Sequence, residues 1–187
     1  MEMKILDRRE TAQVYETHMV EDFPKEERKP LSMILDGYDK GDCCMYGFFE
    51  GDALMAYACL YGTKESREPA LLDYLAVVPA YRDRGLGSHV LAALKTELPQ
   101  GMMIEAEAIH AAQTPAEQET RERRIRFYER NGARLQPFET TLFGVRFSIL
   151  TLGGPENMDA RQSMEALYRR MLQGYIPMEK ALLFHDC

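Results

Sequence analysis

Between Leu71 and Ser88 an apolar run ends at Val77-Val78-Pro79, a loop Ala80-Tyr81-Arg82-Asp83-Arg84 follows, and Gly85-Leu86-Gly87-Ser88 comes next. The order is that of a strand, a charged turn and the start of a helix. Glycines carry no Cβ, so an anion can approach the backbone closely. The first N–H groups of a helix have no intrahelical partner and form the positive end of its dipole. Arg82 and Arg84 add full charge beside them. The chemistry implied is the holding of phosphate groups.

A second set of residues could handle protons. Glu105 and Glu107 lie two apart in Met102 to Glu107, so on a strand they share one face with Met103, while Ile104 and Ala106 face the other way. Such a face must meet water, a cation or a catalytic cleft, because burying unpaired charge is too costly. Asp73 stands among apolar neighbours, which makes it a further candidate.

Two nucleotide-binding patterns compete for the glycine turn. The phosphate loop G-x-x-x-x-G-K-S/T is absent. A dinucleotide turn needs a third glycine where Val90 stands, directly after its strand, within repeated β-α units. Glu105 falls about 20 residues on, as that fingerprint wants, but the repeated units are missing.

The whole chain narrows the choices. Its 187 residues fit one compact fold, and a net charge of −7 argues against general nucleic-acid binding, so the anion site is local. Met1-Glu2-Met3-Lys4 lacks a signal-peptide apolar stretch, and no run approaches the roughly 20 apolar residues that cross a membrane. Cys43, Cys44, Cys59 and Cys187 suit neither a zinc site nor a simple disulfide, so no metal and a reducing cytoplasm are expected. His185-Asp186-Cys187 holds triad-type residues, but consecutive side chains at a chain end cannot take triad geometry.

The elements that must position these residues follow from periodicity. Met3 to Leu6 reads as a strand, Glu10 to Phe23 as a helix, and Leu31 to Leu35 as a second helix closed by Gly37. Cys44–Phe49 and Ala53–Tyr61 form a hairpin about Glu50-Gly51-Asp52. Leu71 to Val78, a helix from Leu86 to Leu98, and Met102 to Glu107 make a β-α-β crossover, so those two strands are parallel. A helix from Glu117 to Asn131 ends at Gly132, and Ala133–Leu142 with Arg146–Leu152 closes as a hairpin.

The fold class is therefore α/β (α+β), a mixed sheet with helices on both faces. After it, Met164, Leu167, Tyr168, Met171 and Leu172 form a helical apolar stripe. Residues 1–153 are expected as the main domain and 154–187 as a helical extension packed on it. The alternatives for that stripe are a dimer contact or a substrate lid.

The segment Val77-Val78-Pro79-Ala80-Tyr81-Arg82-Asp83-Arg84-Gly85-Leu86-Gly87 resembles the acyl-CoA site of the GNAT superfamily of N-acetyltransferases. It satisfies that family's R/Q-x-x-G-x-G/A pattern after a V-x-P strand end. Downstream, Phe127-Tyr128-Glu129-Arg130-Asn131-Gly132-Ala133 resembles the family's F/L-Y-x-x-x-G-F helix end, with Ala133 in the aromatic place. The resemblance implies a mostly antiparallel sheet whose central parallel pair splays at the CoA site. It implies that the backbone of Leu75, Ala76 and Val77 pairs with the pantetheine arm. It further implies that N–H groups from Arg82, Asp83, Arg84, Gly85, Leu86, Gly87 and Ser88 hold the pyrophosphate, and that Tyr128 sits near the thioester sulfur.

The implied activity is transfer of an acetyl group from acetyl-CoA, as co-substrate, to a primary amine by direct attack. An amine that is protonated at neutral pH must first lose a proton. Glu105 is the first choice for general base and Glu107 the second, the competing reading being that both only pair with nearby arginines. For Tyr128 the competing reading is a core aromatic beside Phe127 and Ile125.

From Arg121 to Arg134 six arginines accompany two glutamates, either a clamp for CoA phosphates or a surface helix laced by pairs such as Glu122–Arg126. Many relatives that act on protein N termini carry Asn and Ala where Arg121 and Arg124 stand. The expected acceptor is the amine of a small molecule or peptide, shaped by Glu10 to Asp39 and the hairpin at Phe143 to Val145, with the C-terminal tail as a further candidate. Neither nucleic acid nor membrane is expected as a partner, and a homodimer is allowed. The alternative function is a non-catalytic CoA-binding sensor or regulatory module.

Overall fold

A computed structural model describes residues 1–25, 27–63, 65–66, 68–173 and 182–187. Its eight strands form one sheet in the order β1-β2-β3-β4-β5-β7-β6-β8. These are β1 (Glu2–Ile5), β2 (Cys43–Glu50), β3 (Ala53–Tyr61), β4 (Ala70–Val77), β5 (Met102–Glu107), β6 (Arg134–Leu142), β7 (Val145–Leu152) and β8 (Leu182–Asp186). Every neighbouring pair is antiparallel except β4 and β5, which are joined by the crossover helix and run parallel.

Helix α1 (Arg8–Val14) starts from a capping box in which Asp7 accepts from the Glu10 N–H at 2.7 Å and Glu10 accepts from the Asp7 N–H at 2.9 Å. It runs through a π turn, Tyr15–Met19, into the short α2 (Val20–Asp22). Helix α3 (Leu31–Asp39) passes through Gly37 instead of ending there, as the sequence suggests. The glycine serves packing: a Cβ at Gly37 would lie 2.9 Å from Cys43 Cβ on β2. Helices α4 (Leu86–Glu97), α5 (Pro115–Arg130) and α6 (Ala160–Leu172) complete the set. Thr114 and Asp159 cap the last two, each accepting from an N–H three residues on.

Adjacent residues on β5 show the two faces. Ile104 joins a core with Tyr46, Phe48, Leu72 and Leu150 that is covered by α4 through Val90, Leu91 and Leu94 and by α5 through Ile125 and Tyr128. Met103 faces the opposite way, against Met164, Leu167, Tyr168 and Met171 of α6. On that second face α1 to α3 cover the other half of the sheet, where Val14, Met19 and Ile34 meet Met45, Tyr57 and Tyr74. The apolar stripe of α6 is thus buried on the sheet.

The tail also supplies β8, which adds to β6. Its His185 Nε2 lies 2.9 Å from Thr141 Oγ1 and its Asp186 pairs with Arg161, so these side chains serve the sheet. Residues 174–181, between α6 and β8, lie outside the described residues. Among the described residues no helix is long and apolar enough to cross a membrane.

Candidate active site

β4 and β5 pair only over Ala70–Leu72 with Met102–Ile104. Beyond that, β4 follows β3 through Val77 and β5 follows β7 through Glu107, so the two strands part. The β3–β4 register skips Asp73, between the Cys59–Tyr74 and Leu60–Leu72 pairs. This bulge re-aims β4 at the point where it leaves β5. A groove of about 450 Å³ opens on one side of the gap and a cavity of about 540 Å³ on the other, and Arg124 lines both.

The groove is floored by Leu75 and Val77 of β4 and by the turn from Tyr81 to Ser88, with Arg123, Arg124, Phe127 and Arg130 of α5 opposite. In the turn, Asp83 and Gly85 both adopt positive φ, +62° and +73°. Alternation of left- and right-handed residues turns successive N–H groups toward one point, a nest that holds anions. The Arg82 N–H donates to the Pro79 carbonyl at 3.3 Å and the Ser88 N–H to the Gly85 carbonyl at 3.1 Å. The five N–H groups between them, residues 83–87, have no acceptor among the described residues.

Arginine side chains around the groove do different work. The Arg82 guanidinium donates to the Val77 carbonyl at 2.9 Å and to Asp22 Oδ1 at 2.7 Å, while Asp22 Oδ2 accepts from the Tyr57 hydroxyl at 2.8 Å. Arg82 thus ties α2 to the end of β4. Arg84 is exposed and stacks near Tyr81, with Cζ 5.6 Å from the ring centre. Ala76 faces the core on the opposite side of the sheet. The arginine-rich helix is split between both readings of it. Arg126 pairs with Glu122 at 3.3 Å, whereas Arg123 and Arg130 face the groove.

Glu105 and Glu107 both line the cavity, in unlike settings. Glu107 accepts from Arg121 at 2.8 Å and from Arg124 at 3.3 Å, and Arg121 also donates to the Ala108 carbonyl at 2.9 Å. It is a strut between β5 and α5. Among the described residues no arginine pairs with Glu105. Burial is the main cause that pushes its carboxyl up to about 7. Lys29 works against that shift, Asp73 adds to it, and a hydrogen bond from the Tyr168 hydroxyl opposes it. A carboxyl near 7 is matched to general-base work at neutral pH.

Asp73 is already paired, 2.5 Å from Lys29 Nζ. Burial works against the Lys29 ammonium, but Asp73 and Glu105 outweigh it and hold its pKa above the ordinary lysine value. The 27–30 segment that carries Lys29 is pinned from both sides. The Tyr15 hydroxyl donates to the Lys29 carbonyl at 3.0 Å, the Lys29 N–H donates to the Tyr74 oxygen at 2.8 Å, and the Tyr74 hydroxyl donates to the Glu27 carbonyl at 3.0 Å.

Tyr128 lies one turn beyond Arg124 on α5, on the same helix face. It is buried in the core beside Phe127, whose ring centre is 5.2 Å away, and its hydroxyl has no hydrogen-bond partner among the described residues. Burial raises the phenol above its usual pKa, and Arg124 pulls it partly back. Lys29, Tyr168 and Asp22 carry no motif, and only contacts made by the fold bring them to the site.

The chain belongs to the Acetyltransferase (GNAT) family, whose pattern it matches over residues 10–133. Solved structures share the fold. A Bacteroides thetaiotaomicron protein described as an acetyltransferase of the GNAT family superposes with a TM-score of 0.70 at 21% identity, over 93% of this chain and 97% of its own. A Salmonella typhimurium protein described as an acetyltransferase, solved with acetyl-CoA, gives 0.58 at 18% identity over 84% and 96%. An aminoglycoside 6′-N-acetyltransferase complexed with coenzyme A gives 0.56 at 13% identity over 85% and 100%. No curated protein matches the sequence.

Proposed function

We propose that this protein is an acetyl-CoA-dependent N-acetyltransferase that acts on a primary amine by direct attack. The observation that carries the reading is the gap between β4 and β5. It joins a groove rich in unpartnered N–H groups to a cavity holding a buried carboxyl near pH 7. Neighbours solved with acetyl-CoA and with coenzyme A support it.

The groove residues fit a CoA diphosphate. The nest at 83–87 supplies fixed N–H donors without Arg82, whose head is committed to Asp22. Arg123 and Arg130 add charge at the rim. Leu75 and Val77 would lie along the pantetheine arm, with the backbone of Ala76 between them. Acetyl-CoA supplies a thioester carbonyl carbon: the amine lone pair forms the N–C bond and the C–S bond breaks. The attacking nitrogen gives up a proton to solvent and the leaving thiolate takes one from it, so amide and thiol result.

Four groups of this chain would take part in that exchange. Glu105 takes the proton that the ammonium must lose, and Glu107 holds Arg124 at the junction. A backbone N–H near Leu75 faces the carbonyl oxygen, as an oxyanion donor. Tyr128 donates a hydrogen bond to the departing sulfur. Full proton transfer from phenol to thiolate runs uphill by about 2 kcal/mol in water, and burial of Tyr128 makes it steeper. Donation without transfer is the role the energetics allow.

Incubation with acetyl-CoA and a panel of primary amines, followed by thiol release, tests the proposal. Amine-dependent release supports it. Coenzyme A binding with no release on any amine would replace it with the sensor reading.

A further inference from the structure

The cavity beside Glu105 holds a cation that no carboxylate answers among the described residues. Lys29 is matched by Asp73 at 2.5 Å and Arg124 by Glu107 at 3.3 Å. Arg28 lines the same cavity, and among the described residues its guanidinium meets no carboxylate. Its Nε is sealed from solvent and has no hydrogen-bond partner among the described residues, its Cζ stands 5.8 Å from the centre of the Tyr15 ring, and its two terminal nitrogens are the ones open to a ligand. An unmet charged donor is costly to a fold, and a guanidinium fork is shaped to take a carboxylate.

The acids of the cavity give the complementary picture. Asp73 is used by Lys29, Glu107 by two arginines, and Glu27 has a partner of its own. An acceptor with several ammonium groups, such as a polyamine or aminoglycoside, would find its further charges unmatched. Phe23, Met33, Leu142, Phe143, Val145 and Phe147 line the same cavity. One basic carboxylate, one unanswered guanidinium and an apolar wall together describe an amine, an acid and a hydrocarbon on one small molecule.

We infer that the acceptor is a free amino acid with an apolar side chain, its carboxylate held by Arg28 and its amine presented to Glu105. This rests on the acetyltransferase reading of the cavity and narrows its substrate. Arg28 sets specificity. Its contact vanishes when the acceptor lacks a carboxylate.

The test compares L-phenylalanine with phenethylamine, and both with spermidine, by thiol release from acetyl-CoA. Calorimetry of L-phenylalanine binding to the protein saturated with coenzyme A runs beside it. The kcat/KM for phenylalanine is expected to exceed that for phenethylamine by about 10- to 100-fold, the weight of a hydrogen bond to a charged group. In Arg28→Gln that ratio falls toward 1, and Arg28→Lys, which keeps charge without the fork, restores part of it.

Phenethylamine or spermidine matching phenylalanine overturns the inference and leaves the acetyltransferase reading standing. A ratio that survives Arg28→Gln overturns it as well. If no amine turns over, phenylalanine binding that Arg28→Gln weakens at least tenfold keeps the inference while the catalytic reading falls. Absence of that binding removes the inference.

Discussion

The Tyr168 hydroxyl on α6 donates to the Glu105 carboxyl on β5, and the same oxygen lies 3.0 Å from Thr140 Oγ1. A residue beyond the 10–133 family match thereby touches the acid of the cavity. The bond favours the charged form of Glu105 and opposes the burial that lifts its pKa.

Tyr168→Phe removes that donor. The pH at which Glu105 loses its proton then rises, so the acidic limb of kcat/KM against pH moves to higher pH. At pH 7 the rate falls by roughly 3-fold, for a hydrogen bond of about 1 kcal/mol acting on a carboxyl that starts half ionised there. A pH profile of both proteins checks it, and an unmoved limb would separate Tyr168 from Glu105.

Glu105→Gln lowers kcat by about 100-fold or more, the usual weight of a general base, and abolishes the limb near pH 7. Stability moves the other way. The folded carboxyl holds its proton to about 7, against an ordinary value of 4.5, so the folded state loses stability as pH rises between the two. Each pH decade weighs about 1.4 kcal/mol, or about 3 kcal/mol at most in all. Urea unfolding at pH 5 and pH 8 should therefore show Glu105→Gln gaining on the parent only at the higher pH.

Tyr128→Phe keeps the ring in its core and deletes the hydroxyl that has no hydrogen-bond partner among the described residues. The expected result is a kcat reduced by about 10-fold or more, with acetyl-CoA affinity within 2-fold of the parent, because the bond forms only as the thiol departs. Steady-state kinetics with calorimetric binding separates the two quantities. An unchanged kcat would make Tyr128 a packing residue.

Gly37→Ala tests a packing claim. Alanine gains about 1 kcal/mol of helix propensity, whereas overpacking costs about 1–3 kcal/mol. The contact at 2.9 Å is with Cys43 Cβ, which the β2 backbone holds in place, so the second effect wins. A fall in the urea midpoint at constant m-value is expected. A rise would show that α3 can shift away from the sheet.

The sheet, its parallel pair and the glycine turn were legible because each rests on local pattern. Periodicity, turn residues and the β-α-β crossover fix them without long-range knowledge. The two acids on one face of β5 were also legible, but their unlike fates were not. Glu107 meets Arg121 and Arg124 across a helix packing, while Glu105 meets Tyr168 from 63 residues away. Arg82 reads as a phosphate ligand until Asp22, on another element, occupies it. Gly37 looks like a helix end because its packing partner, Cys43, is invisible to a helical pattern. β8 escaped because Leu182-Leu183-Phe184 is too short to be told from a loop without β6 beside it.

The parting of β4 from β5 gives this eight-stranded sheet a second pair of open edges, inside the molecule. An outer edge can be joined by any passing chain, whereas these lie between α5 on one face and the 27–30 segment and α6 on the other. A slender ligand with amides spaced along it, such as the acetyl-CoA of the proposed function, would add there as a partial strand. Such binding would close the sheet, so occupancy and folding stability are expected to rise together. A ligand at 100 times its Kd contributes about 2.7 kcal/mol in this way.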